Sequence, residues 1–272
     1  MRILVTNDDG IGSPGLLALA EWVMRAGHET VVAAPVEESS GSSAALLAVD
    51  DGGRIQMEER GIDGTAAAFA VSATPAFIVL LATRGAFGPP PDAVVSGINR
   101  GANTGAAVLH SGTVGAALTA VANGCPALAV SLDVPPDAVE ANWDAAAEVA
   151  VDLLPLLNQS TPAWSAETGP AGGGFGPFAL NINVPDVEAG ALRGIRRAHL
   201  AEFGIVQMTL RERGEGFVSM SLEQVGEVPE PGSDDGWLRD GYVAVTPLFP
   251  PGEAADVELP GLVDTAGEHI GG

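Results

Sequence analysis

The sequence predicts an α/β fold built on a parallel sheet, and three observations support this. An apolar stretch at residues 3–5 stops abruptly at the NDDG segment, residues 7–10, which is typical of a buried strand that ends in a turn. A helical pattern and a second apolar strand follow, which together make a βαβ unit with parallel strands and a right-handed crossover. Further short apolar strands alternate with helical patterns up to about residue 184, as expected for a parallel sheet.

The first helix is predicted at residues 14–26. Leu16, Leu19 and Val23 recur on one helical face, and Ser13 precedes the segment as a cap. The other strands are predicted from short apolar runs, and the other helices from longer runs with helical periodicity. We predict strands at residues 30–34, 54–60, 66–71, 93–96, 127–132, 178–184 and 242–246, and helices at residues 74–83, 114–122 and 143–157.

Four other segments are predicted to lie outside the core. Residues 158–177 are rich in Ser, Thr, Pro and Gly and indicate a surface excursion. Residues 208–224 have the pattern of a hairpin, which is either an oligomerisation arm or an ordinary edge hairpin. The VEESSGSSA segment after the second strand predicts a loop, and the acidic tail from residue 252 predicts poor order.

Composition excludes several classes of function. The 272 residues suit one large domain or a domain with an appended lobe. Twelve basic and 35 acidic residues give a net charge of −23, which opposes binding to nucleic acids or anionic membranes. The absence of lysine from the sequence excludes Schiff-base chemistry and lysine-based phosphate loops. The single cysteine, Cys125, excludes an intrachain disulfide framework and lies in an apolar context typical of the core.

The location predicted from the sequence is cytoplasmic. The N-terminus leads directly into a strand rather than into a charged segment followed by an apolar signal core. The sequence has no uninterrupted apolar run near 18 residues. We therefore expect neither a membrane nor a nucleic acid among the partners.

Three polar turns are predicted to meet at one edge of the sheet. They are residues 7–10, 39–42 and 97–103, and each follows an apolar strand. Asp8 and Asp9 are adjacent, so they converge on one centre only if the strand has already broken into a turn, which Gly10 permits. All donors pooled here are oxygens, which favours Mg²⁺ or Mn²⁺. The alternative is a turn of Asx type that simply leads into the first helix.

A fourth polar segment precedes the Ala-rich helix at residues 114–122. His110, Ser111, Gly112 and Thr113 place hydroxyls and free backbone amides at the positive end of that helix, where an anion binds well. In the alternative interpretation Ser111 or Thr113 only caps the helix and His110 packs on the loop. A metal site that faces an anion site indicates metal-assisted hydrolysis of a phosphoester.

Six segments in order resemble the SurE family, the survival-protein nucleotidases. They are MRILVTNDDG, VVAAP with SSG, VVSGINRGANTG, LHSGTVGAAL, LNINVP and GYVAVTPL, and they span residues 1–248. The resemblance implies a Rossmann-like, mostly parallel sheet with helices on both faces and a smaller C-terminal β-rich lobe. It also implies hydrolysis of nucleoside 5′-monophosphates, or of 3′-monophosphates, and a homodimer or homotetramer with exchanged arms. The expected division is a core at 1–190, a hairpin lobe at 191–240, a returning strand at 241–250 and a tail at 251–272.

The site residues follow from the same resemblance. One divalent cation per subunit, Mg²⁺ or Mn²⁺, is expected on Asp8, Asp9, Ser40 and Asn99. The phosphate and substrate contacts are expected from Asn99, Asn103, Ser111, Gly112 and Thr113. The catalytic residues are expected to be Asp8, Asp9 and His110, with His110 protonating the leaving oxygen.

The chain departs from the family pattern at two places. Glu37 and Glu38 precede the serines where relatives commonly have basic or amide residues, so we expect small phosphomonoesters to be preferred over polyphosphate or RNA. Ala198 and His199 follow GIRR where relatives often have Thr-Arg, which weakens one cationic contact or makes it dependent on pH.

Two alternative functions stay open at the level of sequence. A haloacid-dehalogenase-like phosphatase also carries acids after its first strand, but it needs a second Asp two positions after the nucleophile, whereas the acids here are adjacent. A non-catalytic sensor of metal or nucleotide would keep the acids without turnover.

Overall fold

The fold is described from a computed structural model. It describes residues 1–49, 52–158, 177–202, 206–214, 217–224 and 229–251. The strands are β1 (Arg2–Thr6), β2 (Glu29–Pro35), β3 (Met57–Glu59), β4 (Ala67–Val71), β5 (Ala93–Arg100), β6 (Ala127–Asp133), β7 (Ala179–Pro185), β8 (Ile195–Arg197), β9 (Val206–Gly214), β10 (Phe217–Gln224) and β11 (Val243–Leu248). The helices are α1 (Pro14–Arg25), α2 (Pro75–Thr83), α3 (Gly112–Ala122), α4 (Trp143–Leu153) and α5 (Asp234–Arg239), with 3₁₀ segments at Gly105–His110, Leu154–Asn158 and Ala189–Ala191.

Within the described residues, nine strands form one sheet in the order β3-β4-β2-β1-β5-β6-β7-β11-β8. Its central strands are parallel, and β3 and β11 pair antiparallel with β4 and β7. Ile3 and Val5 of β1 pack in the cluster that contains α1 and α4, whereas Leu4 packs in the cluster that contains α2 and α3. This alternation is the period of two that buries a strand on both faces. The predicted α/β fold with helices on both faces is confirmed.

Two sequence predictions were partly wrong. The strand predicted at residues 54–60 is reduced to Met57–Glu59, an exposed edge strand that pairs only with β4. Residues 97–100 belong to β5 rather than to a loop, because Asn99 resumes pairing with Ser131 of β6 after a shift in register. The 3₁₀ segment Gly105–His110, the strand β8 and the helix α5 were not predicted.

The C-terminal part of the chain adds a hairpin and then returns to the sheet. Strands β9 and β10 pair antiparallel in a separate two-stranded sheet, so the predicted hairpin is confirmed. Strand β11 lies between β7 and β8, which confirms that the chain rejoins the sheet. Two predicted segments lie outside the described residues. They are residues 159–176, which make up most of the predicted surface excursion, and the tail from residue 252. In the described part of the chain, no helix has the length and apolar character needed to cross a membrane.

Candidate active site

The turn after β1 places two carboxylates at the carboxyl edge of the sheet. The buried side chain of Asn7 closes the turn, since its amide donates to the carbonyl of Gly10 (3.1 Å) and to Ser13 Oγ (2.6 Å). Gly10 has a φ of +96°, which favours glycine. The amide of Ser39 donates to the backbone carbonyl of Asp8 (2.7 Å), so the loop after β2 lies against this turn.

Asp8 lies in a crowded pocket against the start of α3. The residue is 3% exposed, and its carboxylate accepts a hydrogen bond from Thr113 Oγ1 at 2.5 Å. The same hydroxyl lies 3.4 Å from Asn99 Oδ1. A Cβ at Gly112 would lie 2.7 Å from both Asp8 Oδ2 and Ser42 Oγ, so only glycine fits there without a shift. The structure therefore brings together Asp8, Asn99, Gly112 and Thr113, as the sequence predicted.

Asp9 lies on the opposite face of the sheet edge. It lines a cavity of about 500 Å³ beside α1 and α4, together with Arg100 and Trp143. The two adjacent carboxylates thus point to different sides, Asp8 toward α3 and Asp9 toward the α1 and α4 side. The edge of the sheet between them is the place where a ligand can contact both.

Burial makes both carboxyl groups harder to ionise. Desolvation raises the pKa of Asp8, and hydrogen bonds from Thr113 and from the amides of Gly112 and Thr113 lower it. Desolvation, followed by the charges of Asp8 and Glu38, raises the pKa of Asp9 to about 6, against a lowering by the backbone amide and charge of Arg100. The charges of Asp8 and Glu38 act on Asp9, and a bound cation would offset this repulsion.

Ser40 lies on a more exposed loop. Its hydroxyl donates to Glu38 Oε1 at 2.6 Å. Glu38 is the second carboxylate, after Asp8, whose charge raises the pKa of Asp9. Further along, the loop reaches the 3₁₀ segment before α3, where Ser43 Oγ donates to the carbonyl of Leu109 (2.7 Å). A Cβ at Gly115 would lie 2.2 Å from the carbonyl oxygen of Ser43, so glycine in α3 permits this close contact.

The predicted phosphate segment is a helix N-terminus with a cap. Ser111 Oγ accepts from the amide of Val114 (3.1 Å), which is the capping role. Thr113 instead turns its hydroxyl toward Asp8. His110 ends the 3₁₀ segment with an exposed side chain, and within the described residues that side chain makes no hydrogen bond or ion pair.

Asn103 belongs to a buried polar cluster behind the site. Its side-chain amide donates to Ser131 Oγ (2.8 Å), and its backbone amide donates to Asn183 Oδ1 (2.7 Å). Its backbone carbonyl accepts from the side chains of Asn181 (2.8 Å) and Asn183 (3.0 Å). In this arrangement Asn103 anchors the loop that follows Asn99.

Asp234 is a second anchor for the same loop. Its buried carboxylate accepts from the backbone amides of Gly105, Ala201 and Asp235, each at 2.9 Å. Sequence reasoning did not single out Asp234, Asn181 or Asn183 as residues that act on the site. The asparagines offered one signal, because two amide side chains alternate within the apolar run of β7 and both are fully buried.

The donor set fits a hard cation. Three polar atoms near Asp8 are buried and have no hydrogen-bond partner among the described residues: Asn7 Oδ1, Ser39 Oγ and Ser42 Oγ. All of them, like the carboxylates, are oxygens, the donors that Mg²⁺ and Mn²⁺ prefer. The described residues contain no group of three or more His, Cys, Asp and Glu side chains suited to a metal. A cation here would therefore rely on two carboxylates, neutral oxygens and the substrate.

Comparison with known proteins gives concordant results. A family model described as "Survival protein SurE" matches residues 3–206. A 5′-nucleotidase SurE from Picosynechococcus sp. is 33% identical over 263 residues, with 91% of each chain covered. A 5′-nucleotidase SurE from Xanthomonas axonopodis pv. citri is 35% identical over 283 residues, with 100% of this chain and 96% of the relative covered. The crystal structure of the SurE protein from Aquifex aeolicus matches with a TM-score of 0.74 and 28% identity, over 94% of this chain and 96% of that one.

Proposed function

The chain belongs to the SurE family, and from this premise we propose that it is a metal-dependent 5′-nucleotidase that hydrolyses nucleoside monophosphates to nucleoside and phosphate. The observation that carries the proposal is the contact of Thr113 with both Asp8 and Asn99. It joins the acidic turn to the helix N-terminus at one point. The haloacid-dehalogenase-like alternative is not favoured by family membership.

We propose that the divalent cation is held by Asp8, Asp9, Asn99 and Ser40. The first three already lie at the edge of the sheet, and Ser40 reaches it by giving up its bond to Glu38. A bound cation supplies Lewis acidity toward the phosphoryl group and activates the attacking water. Mg²⁺ and Mn²⁺ are the proposed ions, because the donors are all oxygens.

The phosphoryl group is proposed to bind at the N-terminus of α3. The positive end of the helix dipole stabilises its negative charge. The amides of Gly112 and Thr113, which bond to Asp8, orient that carboxylate beside it. As charge grows on the leaving oxygen, these fixed dipoles need no reorganisation. Ser111 holds the first turn in place through its bond to Val114. We propose that His110, which is exposed at the end of the 3₁₀ segment, protonates the leaving oxygen.

Asn103 is proposed to contribute through position rather than direct contact. Its side-chain amide is engaged by Ser131, and its backbone by the β7 asparagines. It therefore fixes where the chain leaves Asn99. This assignment differs from the direct substrate contact that the sequence predicted for Asn103.

The test is phosphate release from a panel of 5′- and 3′-nucleoside monophosphates, with Mn²⁺, Mg²⁺ and EDTA. We expect activity with metal and none in EDTA. Asp8→Asn and Asp9→Asn should each reduce turnover by more than about 100-fold, the upper range for residues that only support a metal ligand. Circular dichroism and thermal midpoints of both variants should match those of the parent protein. Near-normal Mn²⁺-dependent hydrolysis by both variants would refute the proposed metal site.

A homodimer or homotetramer is also proposed, with the β9 and β10 hairpin as the contact. The hairpin forms its own two-stranded sheet, and such a sheet is only marginally stable by itself. Deletion of residues 211–220 should lower the molecular mass in solution, and an unchanged mass would refute this role. The cytoplasmic location expected from the sequence stays a prediction, which cell fractionation would test.

A further inference from the structure

We propose that the cavity beside Asp9 is the subsite for the nucleoside half of the substrate, with the base against Trp143. The inference rests on the proposed function. It adds the location at which the nucleoside, the leaving group of the reaction, is bound. The subsite is formed mainly by Trp143, Arg100, Glu140 and the first turn of α1, across the sheet edge from the phosphate segment.

The position of the cavity follows from the two carboxylates. Asp8 faces the start of α3, where the phosphate is held, and Asp9 lines the cavity on the other face of the sheet. Consecutive Cα atoms are about 3.8 Å apart. One phosphate ester can therefore have its phosphoryl group beside Asp8 and its nucleoside beside Asp9.

The size and walls of the cavity suit a nucleoside. Its volume is about 500 Å³, within the range of roughly 300–1,000 Å³ that small-molecule sites occupy. The apolar wall is formed by Trp143, Pro14 and Ile98. A Cβ at Gly15 would lie 3.0 Å from Trp143 Cζ3, so the indole rests on the glycine of the first turn of α1. This contact fixes the aromatic surface that a base would meet.

The polar groups of the cavity suit a neutral ligand with hydroxyls and ring nitrogens. Arg100 bridges to the loop before α4 by donating to the carbonyl of Ala138 at 2.6 Å. Glu140 lies on the same loop and lines the cavity. A donor and an acceptor at the rim can bind a ribose or a base, whereas the carboxylates of Asp9 and Glu140 make this side unfavourable for a second phosphate.

A second groove of similar volume lies on the other side of the Ser40 loop and is the competing location. It is lined by Val36, Leu47 and Val49 with Glu37. Among the described residues that line it there is neither an aromatic ring nor a cationic group, and neither Asp8 nor Asp9 is one of them. We therefore assign the nucleoside to the Asp9 side.

The experiment uses two exposed valines as a matched pair. Val139 lines the Asp9 cavity and is 96% exposed, and Val49 lines the other groove and is 67% exposed. Val139→Trp should narrow the proposed subsite and raise KM for AMP about ten-fold, the scale of one lost base-stacking contact, with kcat nearly unchanged. Val49→Trp should leave KM within about two-fold.

Ribose 5-phosphate lacks a base, so a comparison of its hydrolysis with that of AMP measures the contribution of base stacking apart from that of the phosphate. The parent protein should prefer AMP over ribose 5-phosphate, and Trp143→Ala should remove most of that preference while Trp143→Phe retains it. If Trp143→Ala does not fold, Val139→Trp carries the test. Adenosine binding in EDTA, measured by saturation-transfer NMR, should be weakened by Val139→Trp and unaffected by Val49→Trp.

The outcomes separate the subsite from the proposed function. A parent protein active on AMP whose KM and adenosine binding do not respond to Val139→Trp would overturn the subsite and leave the nucleotidase function standing. An effect of Val49→Trp in place of Val139→Trp would assign the nucleoside to the other groove and overturn the proposal. A parent protein inactive on every monophosphate with Mn²⁺ would overturn the function and the subsite together.

Discussion

Two loops at the same edge of the sheet are held in opposite ways. Residues 101–110 are anchored from behind by Asn183 and Asp234, whose side chains bond to the loop backbone. Residues 36–47 are largely exposed, and Ser40 bonds within the loop, to Glu38. The loop is joined to the rest of the chain through its backbone and through Ser43, whose hydroxyl donates to the carbonyl of Leu109. The site therefore has a rigid wall, formed by residues 101–110, and an adjustable wall, formed by residues 36–47. We expect substitution of the distant anchors of the rigid wall to have large effects on stability or activity. We expect substitutions within the adjustable wall to have smaller effects.

The largest effect is expected from Asp234→Ala. Removal of the carboxylate leaves three backbone amides without their acceptor, and each buried unsatisfied donor costs about 1–3 kcal/mol. We expect the free energy of unfolding to fall by at least about 3 kcal/mol in denaturant titrations. Asp240→Ala, an exposed position at the end of the same helix, is the control with equal charge change. Equal stability of the two variants would mean that the loop is not anchored by Asp234.

The next effect is expected from Asn183→Ala. Asn183 makes two bonds to the backbone of Asn103, and Asn181 makes one. Residues that support a metal ligand typically contribute about 10–100-fold. We therefore expect kcat to fall by that amount in Asn183→Ala, and by less in Asn181→Ala, at a temperature where both variants are folded. A change in KM alone, with kcat preserved, would contradict a positioning role.

A smaller effect is expected from Gly115→Ala, which acts on the adjustable loop. The added Cβ would collide with the Ser43 carbonyl, so the loop must move away from α3. We expect the Mn²⁺ concentration for half-maximal activity to rise about ten-fold, near the lower end of the effects of supporting residues. Gly12→Ala is the control, since a Cβ there has no neighbour within 4 Å. An unchanged Mn²⁺ requirement in Gly115→Ala would show that the loop does not help to hold the metal.

Ser40→Ala should have a milder effect still. The hydroxyl is a neutral ligand that water can replace, and a neutral hydrogen-bonding contact is worth about 0.5–1.5 kcal/mol. We expect the Mn²⁺ requirement to rise only about three-fold by the same assay. A loss comparable to that of Asp8→Asn would place Ser40 in the rigid part of the site and erase the contrast between the loops.

The smallest effect concerns the charge of the adjustable loop. Glu37→Gln combined with Glu38→Gln removes two exposed carboxylates from the approach to the site. Hydrolysis of tripolyphosphate relative to AMP should rise a few-fold at low ionic strength, and the gain should fade in 0.5 M salt, where charges are screened within about 4 Å. A gain that persists in high salt would point to shape rather than charge.

The sequence predicted the polar residues at the sheet edge better than the buried residues that anchor the loop behind them. The Asp8 and Asp9 turn, Asn99 and Thr113 are each found at strand or helix ends that local patterns reveal, and the structure brings most of them together. The anchors are separated from the loop by 80 residues for Asn183 and 129 for Asp234. No local periodicity encodes such a contact. The extension of β5 to Arg100 was missed for the same reason, because Asn99 and Arg100 pair with Ser131 and Leu132 of another strand, β6.

The bond between Gly105 and Asp234 can form only late in synthesis. Its 129-residue separation means that the ribosome, at about 5–20 residues per second, adds the second partner on the order of ten seconds after the first. Strand β11, which closes the sheet between β7 and β8, is made later still. The nascent chain therefore contains its acidic turn and α3 well before Asp234, which anchors residues 101–110, has been added. Chains that terminate before Asp234 should lack activity, because the loop that follows Asn99 has lost this anchor. Activity should therefore appear only once the chain has been synthesised past this residue.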